Sequence, residues 1–143
     1  MNLSLPLGPV FAFLWASNVA IQQQMLSICR VRKILALRLF EEEGKRWQKS
    51  VKDLQLDILC VSQFTLYHRL KGNKPDFSAA MKGDEANQLY NHFLDRLRQS
   101  YDASKIKDGK FGAYMQVHIE NDGPVTIELE SPLPKQIEEC VDK

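Results

Sequence analysis

The chain has 143 residues, which is enough for one domain with a sizeable core and too few for two domains of ordinary size. Hydrophobic residues make up 44% of the sequence and charged residues 26%, and this balance excludes a wholly disordered chain. The three cysteines have neither metal-ligand nor redox spacing, and their odd number argues against a disulfide framework. We therefore expect a reducing, intracellular setting.

The formal net charge of +1 conceals an uneven distribution of charge along the chain. Residues 30–75 carry 11 Lys and Arg against 5 Asp and Glu, whereas residues 76–143 carry 8 against 13. A basic region of this kind could meet phosphates, although a solvated helix and loop is the commoner explanation. Charge alone does not decide between the two.

The first 29 residues carry no charge and differ in character from the rest. Residues 3–16 are nearly all apolar, but a helix needs about 20 apolar residues to span a bilayer. No Lys or Arg precedes this apolar stretch, as it would in a secretory signal, so we expect neither a membrane span nor secretion.

Apolar residues at three-to-four spacing predict a first helix over residues 22–35, and a short strand is expected over residues 37–40. Residues 41–44 and the polar stretch after them are expected to form a turn and a loop. The apolar, partly β-branched run over residues 56–61 predicts a strand that is covered on both faces.

The second half of the chain begins with a loop by composition over residues 71–75, and Asp84 is the expected N-cap of a second helix. One face of that helix is predicted to be buried through Leu89, Tyr90, Phe93, Leu94, Leu97 and Tyr101. Alternating apolar residues predict two half-buried strands over residues 114–119 and 125–129. These elements indicate a single α/β domain with a mixed or antiparallel sheet and two main helices.

The sequence offers little evidence for the nucleophile and the base that a nucleophilic hydrolase needs. Cys60 lies inside an apolar run, where a thiol more often packs than attacks. No spacing ties His68, His92 or His118 to a serine or cysteine, and no group of His, Cys or carboxylates has metal-ligand spacing. We therefore expect neither a metal nor another cofactor.

Two junctions remain as candidate sites. Residues 62–66 are mostly polar and follow a buried strand, so their amides could point together at an oxyanion, or they could simply close the strand with a turn. Gly123 and Pro124 stand between two predicted strands, where the bond may be cis for a functional reason or may belong to an ordinary tight turn.

The residues at these junctions resemble the D-aminoacyl-tRNA deacylase family, and its animal members in particular. The resemblance extends from about residue 32 to residue 132, some seven-tenths of the chain. The segments that carry it are SQFTL at 62–66, KGNKPDF at 71–77, KFGAYMQV at 110–117 and NDGPVT at 121–126. Two signature motifs in the right order make coincidence implausible.

The resemblance implies an enzyme that hydrolyses the ester between a D-amino acid, or misattached glycine, and the 3′ end of tRNA. It implies a homodimer in which a cis Gly123-Pro124 loop of one subunit reaches into the pocket of the other. The carbonyls of that loop would hold the substrate α-amino group and leave no room for an L side chain. The expected partners are therefore tRNA and a second copy of the chain.

The resemblance also assigns roles to individual residues. Main-chain amides beside the catalytic set would stabilise the oxyanion, and the 2′-hydroxyl of the tRNA would help to activate water. Thr65 is a weaker candidate nucleophile, because no neighbouring base is evident. The catalytic set carried over is Ser62, Gln63, Phe64 and Thr65. The substrate-binding set is Gly123, Pro124, Phe111, Met115, Asn121 and Thr126, with Phe111 near the terminal adenine.

The N-terminus departs from the family pattern. Relatives normally open with a strand that contains Gln-Arg-Val and supplies an arginine to the Gly-Pro loop, and residues 1–29 resemble none of this. We divide the chain into this atypical segment, a deacylase domain over residues 30–132 and a loose tail over residues 133–143. The fold is expected to be incomplete at its N-terminus, with an unpaired and aggregation-prone sheet edge.

Two other functions stay open at this level. The first is a catalytically impaired relative that only binds tRNA or a partner chain. The second is a nucleic-acid-binding role like that linked to the basic tail of animal relatives, although the tail here is short and carries Glu138 and Glu139. We expect a cytoplasmic location, with the nucleus as the alternative.

Overall fold

The computed structural model describes the backbone of residues 2–3, 10–15, 28–117 and 125–129. It describes the side chains of residues 31–117 and 125–129. The expected loose tail over residues 133–143 lies outside this part of the chain.

Within these residues the chain forms two α-helices, two short 3-10 helices and nine strands. The α-helices are α1 (Ile28–Ala36) and α2 (Gly83–Ser100), and the 3-10 helices are Phe64–Leu66 and Ala103–Lys105. The strands are β1 (Asn2–Leu3), β2 (Val10–Trp15), β3 (Arg38–Glu42), β4 (Lys45–Ser50), β5 (Asp57–Ser62), β6 (Arg69–Lys71), β7 (Lys74–Asp76), β8 (Ile106–Asp108) and β9 (Gln116–Val117).

The centre of the fold is a parallel three-stranded sheet in the order β2-β5-β8. Its middle strand, β5, is buried over residues 58–61 and reaches partial exposure at its two ends. This confirms the prediction of a strand covered on both faces, because a parallel strand between two neighbours has little contact with water. Ser62 is the last residue of this strand.

The strand β2 belongs to the segment that we expected to leave a sheet edge unpaired. It pairs with β5 along its whole length, from Val10 opposite Asp57 to Trp15 opposite Ser62. The edge of β5 that lies away from β8 is therefore covered by β2, which itself forms one edge of this sheet. An apolar, aromatic-rich run over residues 10–15 suits such a position in a sheet.

The two α-helices pack together over one continuous apolar core that includes β5 and β8. The predicted stripe of α2 is confirmed from Leu89 to Leu97, while Tyr101 is half-buried just beyond the helix. Burial of each large apolar side chain contributes roughly 1.5 to 3 kcal/mol. The buried core residues are Val31, Ile34, Leu35, Val51, Ile58, Cys60, Met81, Ala86, Leu89, Tyr90, Phe93, Leu94, Leu97 and Ile106.

The polar stretch after residue 44 is not a loop, as predicted, but the strand β4. It pairs with β3 in an antiparallel hairpin whose turn residues, Glu43 and Gly44, both have positive φ, at 50° and 77°. This is the turn geometry that suits the twist of a two-residue hairpin. Most residues of the hairpin are exposed, so no alternation of apolar residues marks β4 in the sequence.

The loop predicted over residues 71–75 is also a hairpin, because β6 and β7 pair in antiparallel fashion on either side of Gly72 and Asn73. Gly72 has a φ of 62°, which glycine adopts at no steric cost. Its presence between two short runs was the available signal for a two-residue turn.

The ends of the helices differ from the predictions. The helix α2 begins at Gly83 after an N-cap at Lys82, so Asp84 is not the N-cap. It lies instead in the first turn together with Glu85, where a carboxylate interacts favourably with the helix dipole. The described part of α1 begins at Ile28, and residues 22–27 of the predicted helix lie outside the described residues.

The strands predicted near the C-terminus are shorter than expected. β9 covers Gln116–Val117 and pairs with β1, whereas residues 125–129 form no strand. Residues 118–124, which include the rest of the first predicted strand and the turn after it, lie outside the described residues. The two-helix α/β architecture is as predicted, with parallel and antiparallel pairings in separate sheets among the described strands.

Candidate functional site

The candidate site begins where the central strand ends. The chain leaves β5 at Ser62 and turns at once into the 3-10 helix Phe64–Leu66. The main-chain N–H of Leu66 donates to the carbonyl of Gln63 at 3.2 Å, and that of Tyr67 donates to the carbonyl of Phe64 at 3.0 Å. This turn is therefore fixed by its own hydrogen bonds at the end of a buried strand.

Within this turn the side chains of Gln63 and Thr65 bond to each other. The Gln63 Nε2 donates to Thr65 Oγ1, and both residues are half-buried. This neighbour of the threonine hydroxyl is an amide donor, which cannot remove a proton. A nucleophilic role for Thr65 needs a base, so the contact favours a positioning role for the hydroxyl.

The imidazole side chain of His68 contacts the main chain of the same turn. Its Nδ1 lies 3.0 Å from the main-chain carbonyl of Thr65. Because a carbonyl can only accept, the imidazole donates from Nδ1 in this contact. The ring therefore serves to hold the turn in place.

Phe64 presents an aromatic surface at the site. Its side chain is 59% exposed, and its ring meets the ring of Phe77 edge-on with centroids 5.1 Å apart. Such T-shaped pairs contribute about 0.5 to 1.5 kcal/mol in addition to the stabilisation that comes from burying their apolar surface. The contact joins the turn over residues 62–66 to the residues that follow β7.

Phe111 is linked to the same strand through the core. Its ring lies 5.8 Å from the ring of Tyr90 between centroids, and the hydroxyl of Tyr90 donates to the carbonyl of Cys60 at 2.9 Å. Phe111 is half-buried against the core, and Met115, further along the same segment, is half-buried as well. Phe111 is thus held in a defined position relative to β5.

The thiol of Cys60 is part of the core. It is buried in the middle of β5, and burial, followed by the charge of Asp108, raises its pKa from 9.0 to about 12. A neutral, buried thiol is a poor nucleophile. This agrees with the packing role expected for Cys60.

Three members of the expected substrate-binding set, Asn121, Gly123 and Pro124, lie outside the described residues. Thr126 is exposed in the segment 125–129, whose last residue, Leu129, packs partly against the core. The structure therefore places Ser62, Gln63, Phe64 and Thr65 together in one turn and Phe111 on the adjoining core.

Sequence reasoning missed the polar contacts that support β5. Tyr90 was assigned to an apolar stripe, yet a buried tyrosine needs a partner for its hydroxyl, which was the available signal. The guanidinium of Arg98 contacts the carboxylate of Asp108 at 2.6 Å beside β5. Neither contact could be paired from the sequence, because each depends on how α2 packs against β5 and β8.

Within the part of the chain that the structure describes, no three His, Cys, Asp or Glu residues come together as a group able to hold a metal ion. No described helix is long and apolar enough to cross a membrane.

Comparison with known proteins identifies the family. The sequence model described as D-Tyr-tRNA(Tyr) deacylase matches residues 16–130. The chain belongs to this deacylase family. The match begins upstream of residue 30, where the sequence had suggested that the deacylase domain starts.

Relatives within the deacylase family are closely similar in sequence. The D-aminoacyl-tRNA deacylase of Drosophila melanogaster is 83% identical over 113 residues, which cover 79% of this chain and 72% of that protein. Human D-aminoacyl-tRNA deacylase 1 is 69% identical over 105 residues, which cover 73% of this chain and 50% of that protein. The chain thus spans about half the length of its human relative.

Two solved structures support the deacylase fold. One, described as c-Myc DNA Unwinding Element Binding Protein, has a TM-score of 0.77 and 59% identity, and the match covers 85% of this chain and 82% of that one. The other, described as a probable eukaryotic D-amino acid tRNA deacylase, has a TM-score of 0.58 at 18% identity over 75% of this chain and 76% of that one. The second shows the fold alone.

Proposed function

We propose that this chain hydrolyses the ester that joins a D-amino acid, or misattached glycine, to the 3′ end of tRNA. The observation that carries the proposal is the turn over residues 62–65, fixed by hydrogen bonds at the end of the buried central strand. The relatives from Drosophila melanogaster and human are named D-aminoacyl-tRNA deacylases, which supports the same reaction here.

In the proposed reaction, water attacks the ester carbonyl carbon and the bond to the ribose oxygen breaks. Main-chain N–H groups of the turn would donate to the developing oxyanion, as rigid donors do in acyl transfer. The ribose 2′-hydroxyl of the tRNA would help to activate the water, and the departing 3′-oxygen takes up the proton. Neither a metal nor a cofactor is required, because the charged intermediate is stabilised by the main chain.

The turn residues divide these tasks. Ser62 and Phe64 would form the wall against which the ester lies, with the exposed ring of Phe64 excluding water from one side. Gln63 and Thr65 would hold each other, and with them the amides of the turn, in one conformation. Rigid placement matters because catalytic donors must be in position before charge develops.

Recognition of the substrate would come from a second copy of the chain. The Gly123-Pro124 carbonyls of the partner would hold the α-amino group and exclude an L side chain, which makes the homodimer necessary for selectivity. Phe111 would pack near the terminal adenine, and its contact with Tyr90 provides the support that such a surface needs. Met115, Asn121 and Thr126 would complete the pocket.

The remaining assignments follow from this reaction. We place the deacylase domain at residues 30–132, preceded by an atypical segment over residues 1–29 and followed by a tail over residues 133–143. We place the protein in the cytoplasm, because its substrate is made where tRNA is charged during translation.

The decisive experiment measures deacylation of D-tyrosyl-tRNA and L-tyrosyl-tRNA by the purified chain. We expect hydrolysis of the D ester alone, loss of activity in Pro124→Ala, and retention of activity in Cys60→Ala, which changes a buried residue outside the site. A protein that binds tRNA without turnover would instead support the hypothesis of a catalytically impaired relative that only binds tRNA. Equal hydrolysis of both esters would contradict the steric mechanism.

The dimeric site can be tested by mixing inactive variants. Pro124→Ala removes the loop of one site and Phe64→Ala removes the wall of another, so each homodimer should be nearly inactive. Random exchange of subunits should restore about a quarter of the activity if the loop acts across a two-fold interface. A mixture that stays inactive, although mass spectrometry shows heterodimers, would place the loop and the wall in one subunit.

A further inference from the structure

The hairpin of β6 and β7 extends from the candidate site and is exposed almost throughout. All residues from Arg69 to Pro75 are exposed, and Leu70 retains 69% of its accessible surface. No core residue holds this hairpin in place by burial. Its composition is therefore not explained by packing.

Both ends of the hairpin contact the turn over residues 62–65, where the proposed reaction takes place. His68, which precedes β6, contacts the main-chain carbonyl of Thr65 through Nδ1 at 3.0 Å. Phe77, which follows β7, contacts the ring of Phe64 edge-on. The base of the hairpin thus has a defined position beside the turn.

The two faces of the hairpin have different chemistry. Directly opposed residues of an antiparallel pair share a face, and so do residues two apart in one strand. Arg69 lies opposite Asp76 and Lys71 lies opposite Lys74, so these four side chains share one face. The opposed pair Leu70 and Pro75 lies on the other face. One face is therefore cationic and the other apolar.

The cationic face keeps a net positive charge. Lys71 bonds to the carboxylate of Asp76 at 2.5 Å, and this contact is the main reason why the pKa of Asp76 lies below its ordinary value. Among the described residues, the ion pairs involve neither Arg69 nor Lys74. Lys71 and Lys74 are directly opposed, an arrangement that is unfavourable for the hairpin by itself. A polyanion bound to this face would remove that repulsion.

The spacing of the charges suits an extended polyanion. Residues two apart in a strand lie about 7 Å apart, so Arg69 and the opposed lysines can meet different phosphates of one nucleic acid strand. The β3–β4 hairpin offers no equivalent, because three glutamates at 41–43 offset its basic residues. Of the two hairpins, the one that adjoins the turn over residues 62–65 therefore carries the larger net positive charge.

We propose that the cationic face of the β6–β7 hairpin binds backbone phosphates of the tRNA acceptor end while the ester lies at the turn over residues 62–65. This inference rests on the proposed function and adds the surface that holds the body of the substrate. Phosphate contacts of this kind give affinity and register without reading sequence, which suits an enzyme that acts on many tRNAs.

The test compares two esters and two double variants. The first ester is D-tyrosyl-tRNA, and the second is D-tyrosyl-adenosine, which carries no backbone phosphates. The first double variant, Arg69→Ala with Lys74→Ala, removes two charges from the hairpin. The matched control, Arg32→Ala with Lys52→Ala, removes one exposed arginine and one exposed lysine from elsewhere.

We expect the hairpin variant to raise KM for D-tyrosyl-tRNA by about tenfold or more at low salt and to reduce the salt slope of kcat/KM by roughly one to two units. Hydrolysis of D-tyrosyl-adenosine should stay unchanged, and so should both activities of the control. Arg69→Lys with Lys74→Arg keeps the charges and should keep the slope.

Two results would overturn the inference. One is an unchanged salt slope in the hairpin variant, and the other is an equal loss on both esters, which would make the hairpin a structural support of the turn. A wild-type protein that hydrolyses neither ester refutes the proposed function separately. Anisotropy of labelled, uncharged tRNA across the same salt range then still decides whether the hairpin binds RNA.

Discussion

The hydroxyl of Tyr90 donates a 2.9 Å hydrogen bond to the main-chain carbonyl of Cys60. That carbonyl also accepts the N–H of Gly109 at 3.0 Å, so a single oxygen joins α2, β5 and the segment after β8. Burial raises the pKa of Tyr90, which therefore keeps its proton at neutral pH. The bond lies two residues before Ser62 and supports the strand end that carries the site.

Tyr90→Phe removes this hydroxyl and retains the ring. We expect the free energy of unfolding to fall by about 0.5 to 1.5 kcal/mol, because a buried carbonyl loses one of its donors. Urea unfolding followed by circular dichroism measures the change, and the midpoint should shift without a change in slope. Tyr114→Phe is the matched control, because that side chain is 94% exposed. Equal midpoints for the two variants would show that the bond does not stabilise the fold.

The long helix α2 was predictable because its apolar residues repeat with the period of a helix over about three turns, from Ala86 to Leu97. The buried strand β5 was predictable for a related reason, since four consecutive buried residues leave a continuous apolar run. In both elements, tertiary burial and local sequence pattern point to the same structure.

The two hairpins were not predicted because most of their residues are exposed, so burial imposes no apolar pattern on their sequence. Both faces of β4 are largely exposed to solvent. The strand therefore depends on its pairing with β3, and its sequence shows no alternation of apolar and polar residues. The turns carry a local signal at Gly44 and Gly72, which have positive φ. The junction over residues 62–66 could be singled out because polar residues follow a buried strand, but the bond between Gln63 and Thr65 could not be predicted, since it depends on two side-chain rotamers.

Glu43 occupies a position that suits asparagine better. Its φ of 50° falls in the left-handed region, and with Gly44 at 77° it forms the central pair of a two-residue hairpin turn. We expect Glu43→Asn to stabilise the protein by up to about 1 kcal/mol, since asparagine tolerates this conformation. Thermal unfolding measures the gain. Glu41→Asn, which lies in β3 outside the turn, should give no gain, and a lower Tm for Glu43→Asn would contradict the assigned turn.

Two exposed carboxylates make the stability of the fold depend on pH. Hydrogen bonds from Ser50 lower the pKa of Asp53, and hydrogen bonds from Ser104 lower that of Asp102, below the ordinary value of 3.8. A lowered folded-state pKa contributes stability above the unfolded value, and that contribution is lost as the pH falls through the folded value. We therefore expect stability to decline below about pH 4.

The double variant Asp53→Asn with Asp102→Asn tests this assignment. It should be less stable than the wild type at pH 7, and the difference should shrink as the pH falls below 3.8 and the wild-type carboxyls take up protons. Urea midpoints across this pH range give the comparison. Glu41→Gln, which removes an exposed carboxylate of β3, serves as control. A difference that stays constant with pH would exclude a contribution from ionisation.

The hydroxyl of Thr65 gives the sharpest test of the chemistry. If it positions the turn, Thr65→Ser should retain activity and Thr65→Val should lose about tenfold or less, because main-chain amides would still stabilise the oxyanion. A substrate that ends in 2′-deoxyadenosine should then be slowed more than the valine variant slows the normal substrate. If Thr65 is instead the nucleophile, Thr65→Val abolishes turnover and rapid quenching of the wild type reveals a D-aminoacyl-enzyme by mass spectrometry. Because its bonded neighbour is the amide of Gln63, which cannot accept the proton, we expect the first pattern.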